Sequence, residues 1–211
     1  MSISASMVKE LREKTSAGMM DCKKALEETQ GNFEAAIEWL RKKGLSNAAK
    51  KSGRVTAEGA VFAQVANNVG IVVEINSETD FVARNDGFRT FVKNIGDHLL
   101  ANKAMEDLMD QVYHKNSTQK ISDLLKENIA TIGENLVIRR FEKYTGTPST
   151  MVHTYIHGEG KIGVLIELTG SVGSSNARTC AQDVALHIAA MNPMAISADQ
   201  IPANIVSKEK E

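Results

Sequence analysis

The chain has 211 residues, enough for one ordinary domain or two small ones. Its formal net charge of −1 lacks the basic excess that a nucleic-acid binder usually carries. Cys22 and Cys180 lie far apart and form neither a CxxC nor a Cys/His cluster, which argues against a disulfide framework or a structural zinc site. No apolar run approaches the roughly 18 residues of a membrane span. The opening MSISASMVKELREKT has neither a secretory nor a transit character, so the simplest compartment is the cytoplasm.

Residues 4–44 predict three short helices. In SMVKELREKT, Val8 and Leu11 share a face with Met7 beside them, and Ser4 or Ser6 caps the start. TSAG breaks the pattern at Gly18. A second helix covers about Met20 to Glu28, with Cys22, Ala25 and Leu26 inward. Asn32 caps a third, FEAAIEWLRKK, whose stripe is Phe33, Ala36, Ile37 and Leu40, with Trp39 flanking it. Arg41, Lys42 and Lys43 suit its C-terminal dipole, and Gly44 is the expected stop. The stretch 45–58, LSNAAKKSGRVTAE, is small, basic and weakly periodic, and reads as a linker. Its Lys50, Lys51 and Arg54 are either phosphate contacts or part of a solvated tether.

The pattern then turns to period two. GAVFAQV, ANN and VGIVVEI predict a β-hairpin. A helix follows, with Phe88, Phe91, Val92, Ile95 and Leu99 on one face and Asn85 or Asp86 as cap. Residues 102–119 are polar and loosely helical. Another helix carries Ile121, Leu124, Leu125, Ile129 and Ile132, and ends at Gly133. ENLVIRRFEKY reads as a strand with Val137 and Arg139 facing one way, Ile138 and Arg140 the other.

A second unit begins after TGTPST. MVHTYIH, GEG and KIGVLIEL again predict a hairpin, and Ala181, Val184, Ala185 and Ile188 the stripe of a following helix. GIVVEI (70–75) aligns with GVLIEL (163–168), so this is an internal repeat. Glu74 to His98 spans 24 positions, whereas Glu167 to His187 spans 20. The extra length falls in NSETDFVARN (76–85), whose counterpart TGSVGSSN is bland. If TDFV were needed to fold the unit, the second copy would carry something like it. A functional insertion at Asp80 and Phe81 is therefore favoured over Phe81 tucking back onto its own helix. The predicted class is α+β: a three-helix head over 1–45, a linker over 46–58, and two repeated hairpin-plus-helix subdomains over 59–145 and 146–211.

Catalysis finds little support. His98, His114, His153, His157 and His187 stand in no ligand pattern, and no P-loop, GxGxxG or GxSxG is present. His98 and His187 occupy equivalent places in the two units, which suggests packing or capping. Cys22 near a helix start is read as a buried thiol rather than a nucleophile. Met19 and Met20, at a helix entry, suit either a core or a partner surface. No metal ligand set and no cofactor are expected. The tip TDFV suits entry into another protein.

VKELREKTSAGMMDCKKALEE, TDFVARN and IGENLVIRR, in that order, resemble the bacterial elongation factor Ts family, nucleotide exchange factors for elongation factor Tu. The resemblance is collinear from about residue 4 to the end. It implies a head similar to a ubiquitin-associated domain and a tip, Thr79, Asp80, Phe81 and Val82, that enters the GTPase domain of elongation factor Tu near its magnesium and switch II. It also implies contacts through Arg12, Met19, Met20 and Lys23 on the head and through His157 with Gly158 in the second hairpin. Longer members continue past PANIVSKEKE into a further module. The partner expected is elongation factor Tu, with neither nucleic acid nor membrane, and self-association is left open. The rivals are a peptide- or ubiquitin-binding adaptor working through the head, an RNA-associated protein using Arg41 to Arg54, and an enzyme built on Cys22 or His157. The first leaves TDFV unexplained, the second conflicts with the net charge, and the third lacks partner residues at readable spacing.

Overall fold

The structure is a computed structural model that describes residues 3–15, 17–102 and 106–209. It is α+β. Helices α1 (Ala5–Thr15), α2 (Met19–Glu28) and the start of α3 (Phe33–Lys51) form the head. Ser4 Oγ accepts the Met7 N–H at 3.3 Å, and Asn32 Oδ1 accepts the Ala35 N–H at 3.0 Å, so two helix starts are capped by side chains. Val8, Leu11, Cys22, Ala25, Leu26 and Ala36 close a small core against Trp39 and Leu40. In the TSAG break, Ser16 lies outside the described residues.

Two expectations for the third helix need correction. It does not stop at Gly44 but continues to Lys51. Gly44 sits where α3 crosses α6 (Ile121–Ile132), and a Cβ there would stand 2.8 Å from Ala130 Cβ. The glycine permits a close helix crossing instead of ending a helix. Ile37, expected in the apolar stripe, is 40% exposed. The stretch read as a tether is also fastened down: Lys51 Nζ donates to the Gly133 carbonyl at 2.6 Å, and Arg54 pairs with Glu78 at 3.4 Å. Both side chains are engaged by the chain's own body, and Lys50 alone of that basic trio is left to solvent without such a bond among the described residues.

The body holds two antiparallel sheets. Strands β1 (Glu58–Ala66), β2 (Val69–Ser77) and β3 (Val137–Thr145) form one, in that order. Strands β4 (Thr150–His157) and β5 (Ile162–Thr169) form the other. Asn67 and Asn68, at φ 51° and 60°, make the two-residue turn of the first hairpin, where positive φ at both positions matches the strand twist. Helix α5 (Asp86–Ala101) lays Phe88, Phe91, Val92, Ile95 and Leu99 on Ile71, Val73 and Ile75 as predicted, with Asn85 Oδ1 capping its start. Helix α7 (Ser175–Met191) covers the second sheet.

The sheets meet on their remaining faces. A Cβ on Gly70 would collide with Val152 and come within 2.8 Å of Leu165, while one on Gly163 would collide with Val61 and come within 3.1 Å of Val72. These are the first residues of the two aligned repeats. Each repeat thus supplies the glycine that admits the other's side chains, so the repeat read in the sequence is also how the halves pack.

Other details depart from expectation. A register shift between Glu74 and Ile75 bulges β3, so Ile138 faces the core while Arg139 and Arg140 both reach Glu74, at 3.7 and 2.6 Å. Alternation fails there because a bulge adds a residue to one strand. On α7, Ala181 and Ala185 are buried as expected, but Val184 is exposed. Of the loosely helical stretch 102–119, residues 103–105 lie outside the described residues. Within the remainder a single 3-10 turn forms, at Leu108–Asp110, followed by a bridge from Val112 to Lys120. A short α8 (Ala203–Lys208) lies near the end of the described chain.

Candidate functional site: a rooted apolar tip

Strand β2 ends at Ser77, and the chain turns into α4 (Asp80–Ala83), a single helical turn. A helix this short cannot hold itself in water, because nucleation fixes several dihedrals for one hydrogen bond. Its order comes from the residues before it. Thr79 Oγ1 accepts the Val82 N–H at 3.4 Å as N-cap and donates to Glu134 Oε1 at 2.6 Å. Glu134 Oε2 accepts the N–H groups of Glu78 and Thr79 at 3.1 and 3.0 Å. Ser77, fully buried, donates from its hydroxyl to the Thr79 carbonyl at 3.1 Å. Glu78 returns a bond to the same corner, accepting the Asn135 N–H at 2.6 Å, and pairs with Arg54.

On this root the side chains divide. Ala83 is buried and Val82 packs partly on the core. Phe81 points out and is 83% exposed, so it does not tuck back onto its own helix. Leaving such a ring in water forgoes about 1.5–3 kcal/mol of burial. The ring gains that energy only when another surface covers it. Asp80 lies 3.3 Å from Arg84, an i,i+4 pair with both partners substantially exposed, and such pairs contribute little to stability. Asp80 therefore remains available to a partner at small cost.

The other predicted contact residues fall on different elements. Arg12 on α1 and Met19, Met20 and Lys23 on α2 are all exposed, the methionines at 54% and 73%. That resolves the question of core against surface for the methionine pair. Among the described residues Lys23 makes a loose i,i+4 pair with Glu27, at 3.8 Å. His157 ends β4, exposed, with its Nδ1 2.9 Å from the Tyr155 hydroxyl. The four tip residues thus form one turn with its cap, the head residues lie on α1 and α2, and His157 lies at the end of β4.

The groups considered for chemistry lie elsewhere. Cys22 is fully buried, its thiol 3.7 Å from the Ala17 carbonyl. His98 is buried too: its Nδ1 accepts the His114 N–H at 3.2 Å, which leaves the proton on Nε2, 2.8 Å from Gln111 Oε1. Burial pushes its pKa below the usual imidazole value, against the hydrogen bond to Gln111. His187, its repeat equivalent, is exposed, so the shared position does not carry a shared packing role. Among the described residues no group of three or more His, Cys, Asp or Glu side chains is placed to hold a metal ion. No helix among them is long and apolar enough to cross a membrane.

The residues that sequence reasoning missed are Glu78, Glu134 and Asn135. The only sequence signal was their position: Glu134 and Asn135 open the strand segment ENLVIRR, and Glu78 lies inside the inserted stretch. Nothing local says that they meet across more than fifty residues.

The most elaborately built feature is therefore a projecting phenylalanine on a rooted turn, carried by two interlocked sheet-and-helix repeats. Such a feature suits contact with another surface, which would cover the ring. Comparison with known proteins places the chain further. The family described as Elongation factor TS matches residues 78–211. The chain is 62% identical to elongation factor Ts of Bdellovibrio bacteriovorus over an alignment of 215 residues, which takes in all of this chain and 70% of that protein. It is 46% identical to elongation factor Ts of Halothermothrix orenii, again over its whole length and 71% of the relative. The chain belongs to the elongation factor Ts family, and so to the factors of translation elongation.

Proposed function

We propose that this chain is a guanine nucleotide exchange factor for elongation factor Tu, and that the tip Thr79–Val82 does the displacing. One observation carries the reading: in a member of this family, Phe81 stands 83% exposed on a turn whose base is fastened to the body through Thr79, Glu134 and the buried Ala83. A wedge must be apolar, projecting and stiff, and Phe81 is all three. Its target is the GTPase domain near bound Mg²⁺ and GDP. Magnesium demands near-octahedral geometry and tolerates displacement poorly, so a ring that shifts the surroundings of its ligands weakens nucleotide binding without touching the nucleotide. Asp80, free of any strong internal partner, competes for or receives a displaced donor.

The exposed Arg12, Met19, Met20 and Lys23 hold the head to the same domain, and His157 makes a further contact. Whatever the factor does to GDP affinity, GDP does to the factor's affinity. A coupling of about 3 kcal/mol weakens nucleotide binding roughly a hundredfold. GTP then refills the site and expels the factor, which is regenerated without making or breaking a bond. The setting is the cytoplasm, where elongation takes place, and neither nucleic acid nor membrane enters the cycle. The test is release of fluorescent GDP from elongation factor Tu with and without this chain. Acceleration supports the reading, and an unchanged rate despite complex formation contradicts it.

A further inference from the structure

We infer that Glu134, at the corner between α6 and β3, is a positioning residue for exchange: it presets the tip that enters the partner. The inference rests on the exchange reading above and goes beyond it. The observation is a single carboxylate that accepts three hydrogen bonds from the root of the tip, from the Glu78 and Thr79 N–H groups and the Thr79 hydroxyl. Charged acceptors make the stronger class of hydrogen bond, and these three converge on two successive residues. They fix the direction in which the chain leaves β2, and hence where the one-turn helix and Phe81 point.

The Thr79 hydroxyl relays the constraint, because it donates to Glu134 while accepting from Val82 inside the turn. Such a chain of hydrogen bonds is mutually reinforcing. The corner is itself held. Gly133 takes the left-handed conformation that ends α6, and its carbonyl accepts Lys51 from the end of α3. Asn135 donates its side-chain amide to the carbonyls of Ser52 and Arg54, at 3.4 and 2.9 Å. The base that orients the tip is therefore bonded to the far end of the helix that begins in the head. A displacing ring works only if it cannot swing aside when it meets resistance. Without the clamp, the ordering of the tip must be supplied during docking, at the expense of the displacement step.

The experiment measures GDP release from elongation factor Tu across a range of factor concentrations, for the unchanged chain, Glu134→Ala, Glu134→Gln, Phe81→Ala and the Glu134→Ala/Phe81→Ala pair. Thermal unfolding of each is recorded alongside. Glu134→Ala is expected to lower the maximal release rate roughly tenfold to a hundredfold, the scale of losing one or two hydrogen bonds to a charged acceptor. Glu134→Gln keeps one acceptor oxygen and is expected to fall between. In the Phe81→Ala background, removing Glu134 is expected to cost little more, since a positioning residue has nothing left to position. A merely structural Glu134 would instead lower the melting temperature and add its loss to that of Phe81→Ala. Additive losses, or a Glu134→Ala rate equal to that of the unchanged chain, overturn the inference. If the unchanged chain itself fails to accelerate release, the exchange reading is what fails.

Discussion

Replacing Gly44 by alanine sets two effects of known size against each other. In an exposed helix interior the change would stabilise by about 0.8–1.0 kcal/mol, from helix propensity alone. Here the added methyl would stand 2.8 Å from Ala130 Cβ, whereas ordinary contact begins near 3.4 Å. Neither methyl has a rotamer to relieve the clash, so α3 and α6 must part by about 0.6 Å or more. Parting them strains the Lys51 bond to Gly133 and disturbs Ala48, which lies in the main core. Overpacking of this kind costs about 1–3 kcal/mol, so the net expectation runs from near zero to about 2 kcal/mol of destabilisation. The assay is urea unfolding, followed by far-UV ellipticity for the whole chain and by fluorescence of Trp39, the only tryptophan, for the head. The pair Gly44→Ala/Ala130→Gly moves one methyl across the interface and is expected to recover most of the loss. A Gly44→Ala chain stabilised by the full propensity gain would refute the close crossing, and with it the fixed seat of α3 on the body.

Acid should loosen the first subdomain. His98 is harder to protonate folded than unfolded, because burial outweighs its bond to Gln111, and His114 shifts the same way by burial and then by His98 and Lys115, against the opposing pull of Asp97. Their contribution is complete above the unfolded value of about 6.5 and is lost progressively as pH falls below it and through the lower folded values, since the unfolded chain then binds protons the folded chain refuses. The melting temperature is expected to drop between pH 7.5 and 5.5, and His98→Gln to flatten that drop; an unchanged slope would count against the buried neutral imidazole. Thiol titration under native conditions is expected to modify Cys180, which is exposed, and to spare Cys22 until unfolding. Prompt reaction of both thiols would reopen the reading of Cys22 as a reactive group.

Much of this fold was legible in the sequence where a pattern is local. The stripe from Phe88 to Leu99, the Asn-rich hairpin turn and the Asn32 and Asn85 caps follow from residues within a turn or two of one another, and the repeat from matching two segments letter by letter. Long-range choices were not legible. Gly44 looks like a stop because glycine usually marks helix ends, and only the presence of Ala130 beside it makes it a crossing residue. The basic stretch near Lys51 and Arg54 reads as solvated until Gly133 and Glu78 are seen to receive it. The bulge in β3 disturbs an alternation that the letters alone present as regular. At the tip, comparison of the two repeats isolates Asp80 and Phe81 by their lack of a counterpart. The carboxylate that roots them, Glu134, lies 55 residues from Thr79 and leaves no local signature.

The central claim is that an exposed, rooted phenylalanine displaces nucleotide from elongation factor Tu. Its most direct test compares the rate of fluorescent GDP release under the unchanged chain and under Phe81→Ala, with folding and complex formation checked for both. Because Phe81 contributes almost nothing to the core, the substitution should leave the melting temperature nearly unchanged. The account predicts that it removes most of the acceleration while the complex still forms. A Phe81→Ala chain that binds and releases GDP as fast as the unchanged chain would contradict it.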